Sequence, residues 1–371
     1  MDQPLPFVQR STYVLLFIIA FFFILIIARD FLVPLAFGFL ISSLLFPVCR
    51  FLCHKGLPKG VSIFISVIIM MVVFGGIALL FVSQIAELAA DFPDLRSKAM
   101  ENITDVYQYI EDLFGLAVDW QKHWVKGRVD NLFTTGSEFF NRLLNGAAGT
   151  VFKVLMMPVY VFYILYYHDR FRQFILRSTP ERHKETANKI LKEISWVSQR
   201  FFGGAFIVVM ILVVTNSLGL YLIGLKYPIF FGVISAVFNL IPYFGTWIGA
   251  FFPFVFALLT GDSVNLALSV LVFFAFIQFT ENNILTPHIT GGYVRLNPFF
   301  TIIGLIAGGM VWGVAGMLLV IPFLASLKII LENIESTKNL AFLIGRSDDE
   351  TIGKIRRKIR AFFQSKRKPT P

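Results

Sequence analysis

The residues best suited to chemistry in this 371-residue chain are gathered at the end of an apolar run. Glu281 closes a stretch that already holds Gln278 and Thr280, and Asn282, Asn283, Thr286, Pro287 and His288 follow it. A charged residue at the centre of a membrane helix costs about 2.5–3.5 kcal/mol on insertion scales, so it is expected only near the interface or where it works. One reading makes Glu281 a proton or sodium site, with Asn282 and Asn283 as oxygen or amide ligands. The other makes it a helix-end carboxylate reaching headgroup water. The crowding of polar side chains around it favours the first.

On either side of this cluster lies a segment that a regular helix does not carry unbroken. Residues 228–260 run from Pro228 through Asn239, Pro242, Tyr243, Gly245, Thr246 and Gly249 to Pro253. A proline removes a backbone donor and clashes with the preceding turn. Pro242 with Gly245 therefore predicts a break at mid-length. Residues 298–332 hold Gly304, Gly308, Gly309, Gly313 and Gly316, then Pro322. Their G-x-x-x-G steps, 304–308 and 309–313, let backbones approach closely. As one helix this stretch would measure about 50 Å, against a hydrocarbon core of about 30 Å. Two readings stay open for both segments, a kinked single pass and a re-entrant hairpin. As hairpins they would enter from opposite sides and meet near the midplane. Backbone groups freed in lipid must be buried in protein or face water, and broken helices build ion and substrate sites in transporters. The expected pathway residues are therefore Asn239, Pro242, Tyr243, Gly245 and Thr246; Gln278, Glu281, Asn282, Asn283, Thr286 and Pro287; and Gly308, Gly309 and Gly313.

The elements that position these residues are long apolar helices. Hydrophobic residues make up 56% of the chain and charged ones 15%, and the mean hydropathy is +0.73. A soluble domain has about 45–50% and about 25%. The excess sits in runs long enough to cross a bilayer. The map is all-α and polytopic, with about eight membrane segments near 13–30, 31–52, 61–85, 146–167, 201–224, 228–260, 264–286 and 298–332. The first is read as a retained helix, because no small-x-small cleavage pattern follows it closely.

Lys and Arg set the orientation. They crowd the loop at 50–59, the stretch 168–200 and the tail, so these are expected in the cytoplasm, with both termini. The net charge of +10 is assigned to this loop bias rather than to nucleic-acid binding. Residues 87–145 carry more acids than bases and are expected outside. There Phe92, Leu95, Ala99, Ile103, Val106, Ile110 and Leu113 form one helical stripe, which either lies on the membrane, meets a neighbouring subunit, or packs on its own protein. The resulting division is 1–86, N-terminal membrane helices; 87–145, extracytoplasmic amphipathic helical segment; 146–167, membrane helix; 168–200, cytoplasmic connector formed by a basic amphipathic helix; 201–335, C-terminal transport-core membrane helices; and 336–371, basic cytoplasmic tail.

Enzyme signatures are absent. There is no G-x-x-x-x-G-K-[ST], H-E-x-x-H or G-x-S-x-G, motifs that would signal P-loop, zinc-protease or serine-hydrolase chemistry. Cys49 and Cys53 read as a reduced pair, and neither a metal nor a cofactor is expected.

Four stretches carry a resemblance. Phe162-Tyr-Ile-Leu-Tyr-Tyr-His-Asp169, Asn239-Leu-Ile-Pro-Tyr-Phe-Gly245, Glu281-Asn-Asn-Ile-Leu-Thr-Pro287 with Gly291 and Pro298, and Gly308-Gly309 with Gly313, Gly316 and Pro322 resemble motifs of the autoinducer-2 exporter (AI-2E) family of bacterial transporters. The resemblance implies about eight membrane segments, a cytoplasmic-membrane location and a homo-oligomer. It also implies export of the autoinducer-2 signal or, in some members, sodium/proton antiport. The expected function is thus secondary transport of a small polar solute coupled to protons or sodium, with membrane lipids and copies of itself as partners. The alternative is an oligomeric passive pore.

Overall fold

The computed structural model describes residues 7–114, 119–145, 147–241, 245–261, 263–290 and 296–345. Pro242, Tyr243, Gly291 and residues 346–371 of the tail lie outside them. Among the described residues every regular element is helical; the only pairing of extended backbone is the isolated bridge between Leu296 and Gly345. The helices are α1 (Phe7–Ile27), α2 (Arg29–His54), α3 (Lys59–Ala90), α4 (Phe92–Phe114), α5 (Asp119–Asn145), α6 (Ala147–Ser178), α7 (Lys184–Ile223), α8 (Pro228–Phe238), α9 (Gly245–Thr260), α10 (Val264–Thr280), α11 (Pro298–Trp312), α12 (Val314–Glu332) and α13 (Lys338–Ile344). A π-helical segment, Glu281–Thr290, continues directly from α10.

Among the described residues, five helical stretches are long and apolar enough to cross a membrane: α2, α3, residues 181–223 with α7, residues 264–285 with α10, and α12. Their outer surfaces agree with a lipid environment. Large apolar side chains stand exposed on them, Leu79 at 74% and Leu222 at 75% among them. Soluble proteins rarely leave such contiguous apolar surface uncovered. The chain is an all-α polytopic membrane protein.

The helices gather into two compact units. The first takes residues 1–43, 167–201 and 292–371, and its centre is a helical hairpin. The stretch 298–332 turns at Gly313, whose φ of +60° and ψ of −140° suit a residue without Cβ. Beyond the turn α12 runs back along α11. A Cβ on Gly316 would lie 1.9 Å from the Gly308 carbonyl oxygen, and one on Gly308 2.7 Å from that of Gly316. The close approach expected from the glycines is present, but its members are Gly308 and Gly316, with Gly304 against Val320 and Leu324. Gly313 packs against nothing within 4 Å; as the turn residue it is not half of a second packing step. The Trp312 indole N–H, beside the turn, donates to the Leu25 carbonyl oxygen at 2.8 Å. It thereby caps one of the open carbonyls at the end of α1.

The basic stretch 168–200 is not a separate helix. It is the last turns of α6 and the first turns of α7, joined by Pro180 and a short 3₁₀ turn. Nothing between 168 and 178 breaks a helix, whereas Pro180 does. Arg172 donates to Asn188 across this joint at 2.7 Å.

The second unit takes residues 44–166 and 202–291. Here 228–260 is also a hairpin, with arms α8 and α9. At 11 and 16 residues they extend about 16 and 24 Å. A Cβ on Gly245 would lie 1.9 Å from the Phe238 carbonyl oxygen, and the Gly245 N–H donates to Ile241 at 2.8 Å. Further along, Ser235 Oγ donates to the Gly249 carbonyl at 2.6 Å.

The same unit shows how the apolar stripe of α4 is used. Leu95, Ala99 and Ile103 of α4 are buried with Val129 and Phe133 of α5, Ile85 and Leu88 of α3, Phe230 and Phe231 of α8, Ala257 of α9 and Phe274 of α10. The segment packs on its own protein. The side chains of Val106, Ile110 and Leu113 lie outside the described set.

The glycine contacts differ in how readily they give way. Overpacking a rigid contact costs about 1–3 kcal/mol, and at Gly316 the opposing atoms are backbone. At Gly309 the nearest atom is the Met317 methyl, 2.6 Å away, which can swing aside while alanine gains helix propensity. Gly316→Ala is expected to lower stability in detergent by about 1–3 kcal/mol, and Gly309→Ala to stay within about 0.5 kcal/mol of wild type. Chemical unfolding of both variants checks this. Equal losses would show that the Gly308–Gly316 crossing is not the tight one.

Candidate functional site

The break in 228–260 sets a polar relay inside the second unit. Asn239 caps the C-terminus of α8, Thr246 opens α9, and Glu281 begins the π-helical segment. Thr246 Oγ1 donates to Asn239 Oδ1 at 2.7 Å, and Asn239 Nδ2 donates to Glu281 Oε1 at 2.9 Å. Glu281 is 8% exposed. A buried carboxylate is tolerated when hydrogen bonds replace its water, and the hairpin tip supplies such a bond. π-Helical turns are rare and recur at functional sites, and this one starts at the buried carboxylate.

Helix register decides which other side chains join. Residues three or four apart share a face, whereas neighbours one or two apart do not. Gln278 stands one turn before Glu281, and its buried Oε1 has no hydrogen-bond partner among the described residues. Asn282 and Asn283 are exposed, and Asn283 Nδ2 donates back to the Phe279 carbonyl at 2.8 Å. The structure thus brings together Asn239, Thr246 and Glu281, with Gln278 on the same helix face, and turns Asn282 and Asn283 away. Gly245 closes the hairpin tip. The side chains of Thr286 and Pro287, like Pro242 and Tyr243, lie outside the described set. Gly308, Gly309 and Gly313 belong to the hairpin of the first unit.

The family of the chain follows from comparison. The sequence model of the family described as "AI-2E family transporter" matches residues 15–336, a span that contains the relay and both hairpins. The chain belongs to the AI-2E transporter family. Among its relatives, "Putative transport protein YrrI" of Bacillus subtilis is 30% identical over 319 residues, covering 82% of this chain and 87% of the relative. A "Putative transport protein" of Borreliella burgdorferi is 24% identical over 348 residues, covering 92% of each chain. "Putative transport protein YhhT" of Escherichia coli K12 is 23% identical over 324 residues, covering 86% and 89%. The protein is therefore a multi-pass membrane protein of a transporter family.

Two polar groupings of this AI-2E transporter escaped the sequence reading. Asn216, on α7, is 3% exposed, and its Oδ1 has no hydrogen-bond partner among the described residues. It continues the stripe of Val208, Val209, Leu212 and Val213, which packs with Ala236, Ile277 and Leu285. Its signal was a lone amide inside the apolar run 201–224. The second grouping lies outside the membrane-spanning segments, where Asp91 follows α3. Lys226 Nζ donates to Asp91 Oδ2 at 2.7 Å, and the Tyr227 hydroxyl donates to the same oxygen. Tyr227 has φ +59° and precedes Pro228, a conformation that costs about 1–3 kcal/mol and persists only where its surroundings enforce it.

These bonds move the titrations of the trio. Donation from Lys226, then from Tyr227, holds the Asp91 carboxyl below its usual range. The bond to Asp91 raises Lys226. Burial, then the bond to Asp91, pushes Tyr227 up to about 12. A lowered carboxyl stabilises the fold above the free carboxyl's pKa and loses that contribution as pH falls through its folded value. A raised tyrosine stabilises below about 10 and loses its contribution as pH climbs towards 12. The melting difference between wild type and Asp91→Asn should therefore shrink below about pH 4. That between wild type and Tyr227→Phe should shrink above about pH 10. Melting curves across pH test both, and pH-independent differences would rule the linkage out.

Proposed function

We propose that this protein is a secondary transporter in which Glu281 carries the coupling proton or sodium ion and the α8–α9 hairpin reports its state. The observation that carries the reading is the relay from half-buried Thr246 and Asn239 to buried Glu281, which ties a membrane carboxylate to the tip of a broken helix. Binding or loss of a cation at Glu281 changes what Asn239 donates to, and Asn239 sits where α8 ends. The cargo in this reading is a small polar solute such as the autoinducer-2 signal, exported from the cell, or sodium exchanged for protons. Asn239, Thr246, Gln278 and Glu281 form its inner pathway. The membrane is the bacterial inner membrane, with both termini in the cytoplasm and copies of the chain assembled as a homo-oligomer.

The test is flux in proteoliposomes under imposed proton and sodium gradients, with autoinducer-2 and sodium as the first cargoes. Wild type is expected to accumulate cargo uphill. Glu281→Gln keeps an acceptor for Asn239 but loses the charge, so it should insert and fold yet carry only downhill flux. Uphill flux equal to wild type would remove Glu281 from the mechanism, and downhill flux alone in wild type would establish a passive pore.

Orientation is tested separately. Asp105 of α4 is exposed. In a background lacking Cys49 and Cys53, Asp105→Cys should react with an impermeant thiol reagent added outside intact cells. Labelling only after the cells are opened would invert the topology.

A further inference from the structure

The α3–α4 junction and helix α4 tie to the two open ends of the α8–α9 hairpin: α3 packs on α8, and α4 packs on α9. At the α8 end, Asp91, the residue before α4, accepts from Lys226 and Tyr227, and Tyr227 is the N-cap of α8. At the α9 end, the single amide nitrogen of Asn102 donates to the carbonyls of Leu259 and Gly261, each at 2.9 Å. The last carbonyls of a helix have no partner within it, so α4 supplies a cap that α9 cannot make itself. Asp91 and Asn102 are eleven residues apart, about 16 Å along a helix. Packed helix axes are 8–10 Å apart, so this distance is enough for one tie at the α3–α4 junction and one along α4 to reach neighbouring arms. Between the two polar ties, Leu95 and Ala99 are buried in the core that also holds Phe230, Phe231 and Ala257. The links are remote in sequence: Asp91 meets a residue 135 positions on, and Asn102 one 157 positions on.

We infer that Asp91 and Asn102 are positioning residues for transport, by which α4 braces the two roots of the hairpin that carries Asn239 and Thr246 at its tip. The inference rests on the proposed transport function for its consequence, though not for its geometry. A hairpin held at its tip by Ile241–Gly245 and at its roots by α4 moves as one body, so the relay at the tip keeps its aim at Glu281. Without the brace, each arm frays from its outer end. The outer segment is on this view part of the transport machinery rather than an appended domain.

The experiment uses the full-length protein in lipid nanodiscs and compares wild type, Asp91→Asn with Asn102→Ala, and Arg96→Ala. The last breaks an ion pair between α4 and α5, Arg96 Nε to Asp130 Oδ1 at 2.7 Å, without touching the hairpin. Hydrogen exchange of the amides in 228–241 and 245–260 should quicken at least about fivefold in the double variant, as expected for lost hydrogen bonds at helix ends. Amides in 298–332 serve as the internal reference and should keep their wild-type rates. Arg96→Ala should leave the hairpin amides at wild-type rates. Unchanged hairpin exchange in the double variant, or equal quickening in Arg96→Ala, would overturn the brace. In proteoliposomes the double variant should lose turnover at least about fivefold with a smaller change in solute KM, because the aim of the relay at Glu281 is altered while every pathway group is kept. Asp91→Glu paired with native Asn102 should recover most of that turnover. A raised KM at full turnover would overturn the positioning role. If wild type moves no cargo, the transport reading falls, while the exchange data still decide the brace.

Discussion

Hydrocarbon offers no hydrogen bonds, and that constraint governs most of what is distinctive in this chain. An unbroken helix meets it automatically. A helix interrupted at mid-length exposes donors and acceptors that cost several kcal/mol each if left bare. The two hairpins meet the constraint in different ways. In α11–α12 the backbones are pressed together at Gly308 and Gly316, leaving no room for anything between them, and Gly313 takes up the turn. In α8–α9 side chains do part of the work: Ser235 reaches across to Gly249, and Asn239 and Thr246 bond to each other. The first solution makes a sealed wedge. The second leaves polar side chains at the tip, and one of them faces a carboxylate.

That difference directs attention to the second unit. Around its turn, from Gly304 to Pro322, the hairpin sealed by glycine carries no titratable side chain. A hairpin that ends in an amide and a hydroxyl can change partners. Gln278 shares the helix face of Glu281, and among the described residues its buried Oε1 has no hydrogen-bond partner.

Local rules made the breaks legible from residue types alone. Pro242 with Gly245, and the glycines around 313, marked the two places where helices end. The buried stripe of Leu95, Ala99 and Ile103 was readable from its spacing as well. Pairing was not readable. Nothing in the spacing of Asn239 and Glu281, 42 positions apart, says that they meet. Register was misjudged for a related reason: Asn282 and Asn283 neighbour Glu281 in the chain, but a helix turns them away, while Gln278 shares its face. The bonds of Asp91 and Asn102 to the hairpin roots span more than a hundred residues each, and an acid and an amide in a polar segment look like ordinary surface until the fold places them.

The relay also explains why its middle member is an asparagine. A primary amide both accepts and donates, and the two ends are not interchangeable. Thr246 fills the accepting oxygen, so the N–H is what remains for Glu281. A reversed amide would set an oxygen against a carboxylate and leave the threonine hydroxyl facing a donor, losing two hydrogen bonds and adding a repulsion. Aspartate in the same place would oppose a second negative charge to Glu281, and leucine would leave the threonine and the carboxylate each short of a partner. The threonine thus keys the amide, the amide keys the carboxylate, and both keys are cut at the point where the helix breaks. A shift of α9 relative to α8 moves Thr246 first, frees the amide to turn, and so alters the donor offered to Glu281 without any change in the helix that carries it.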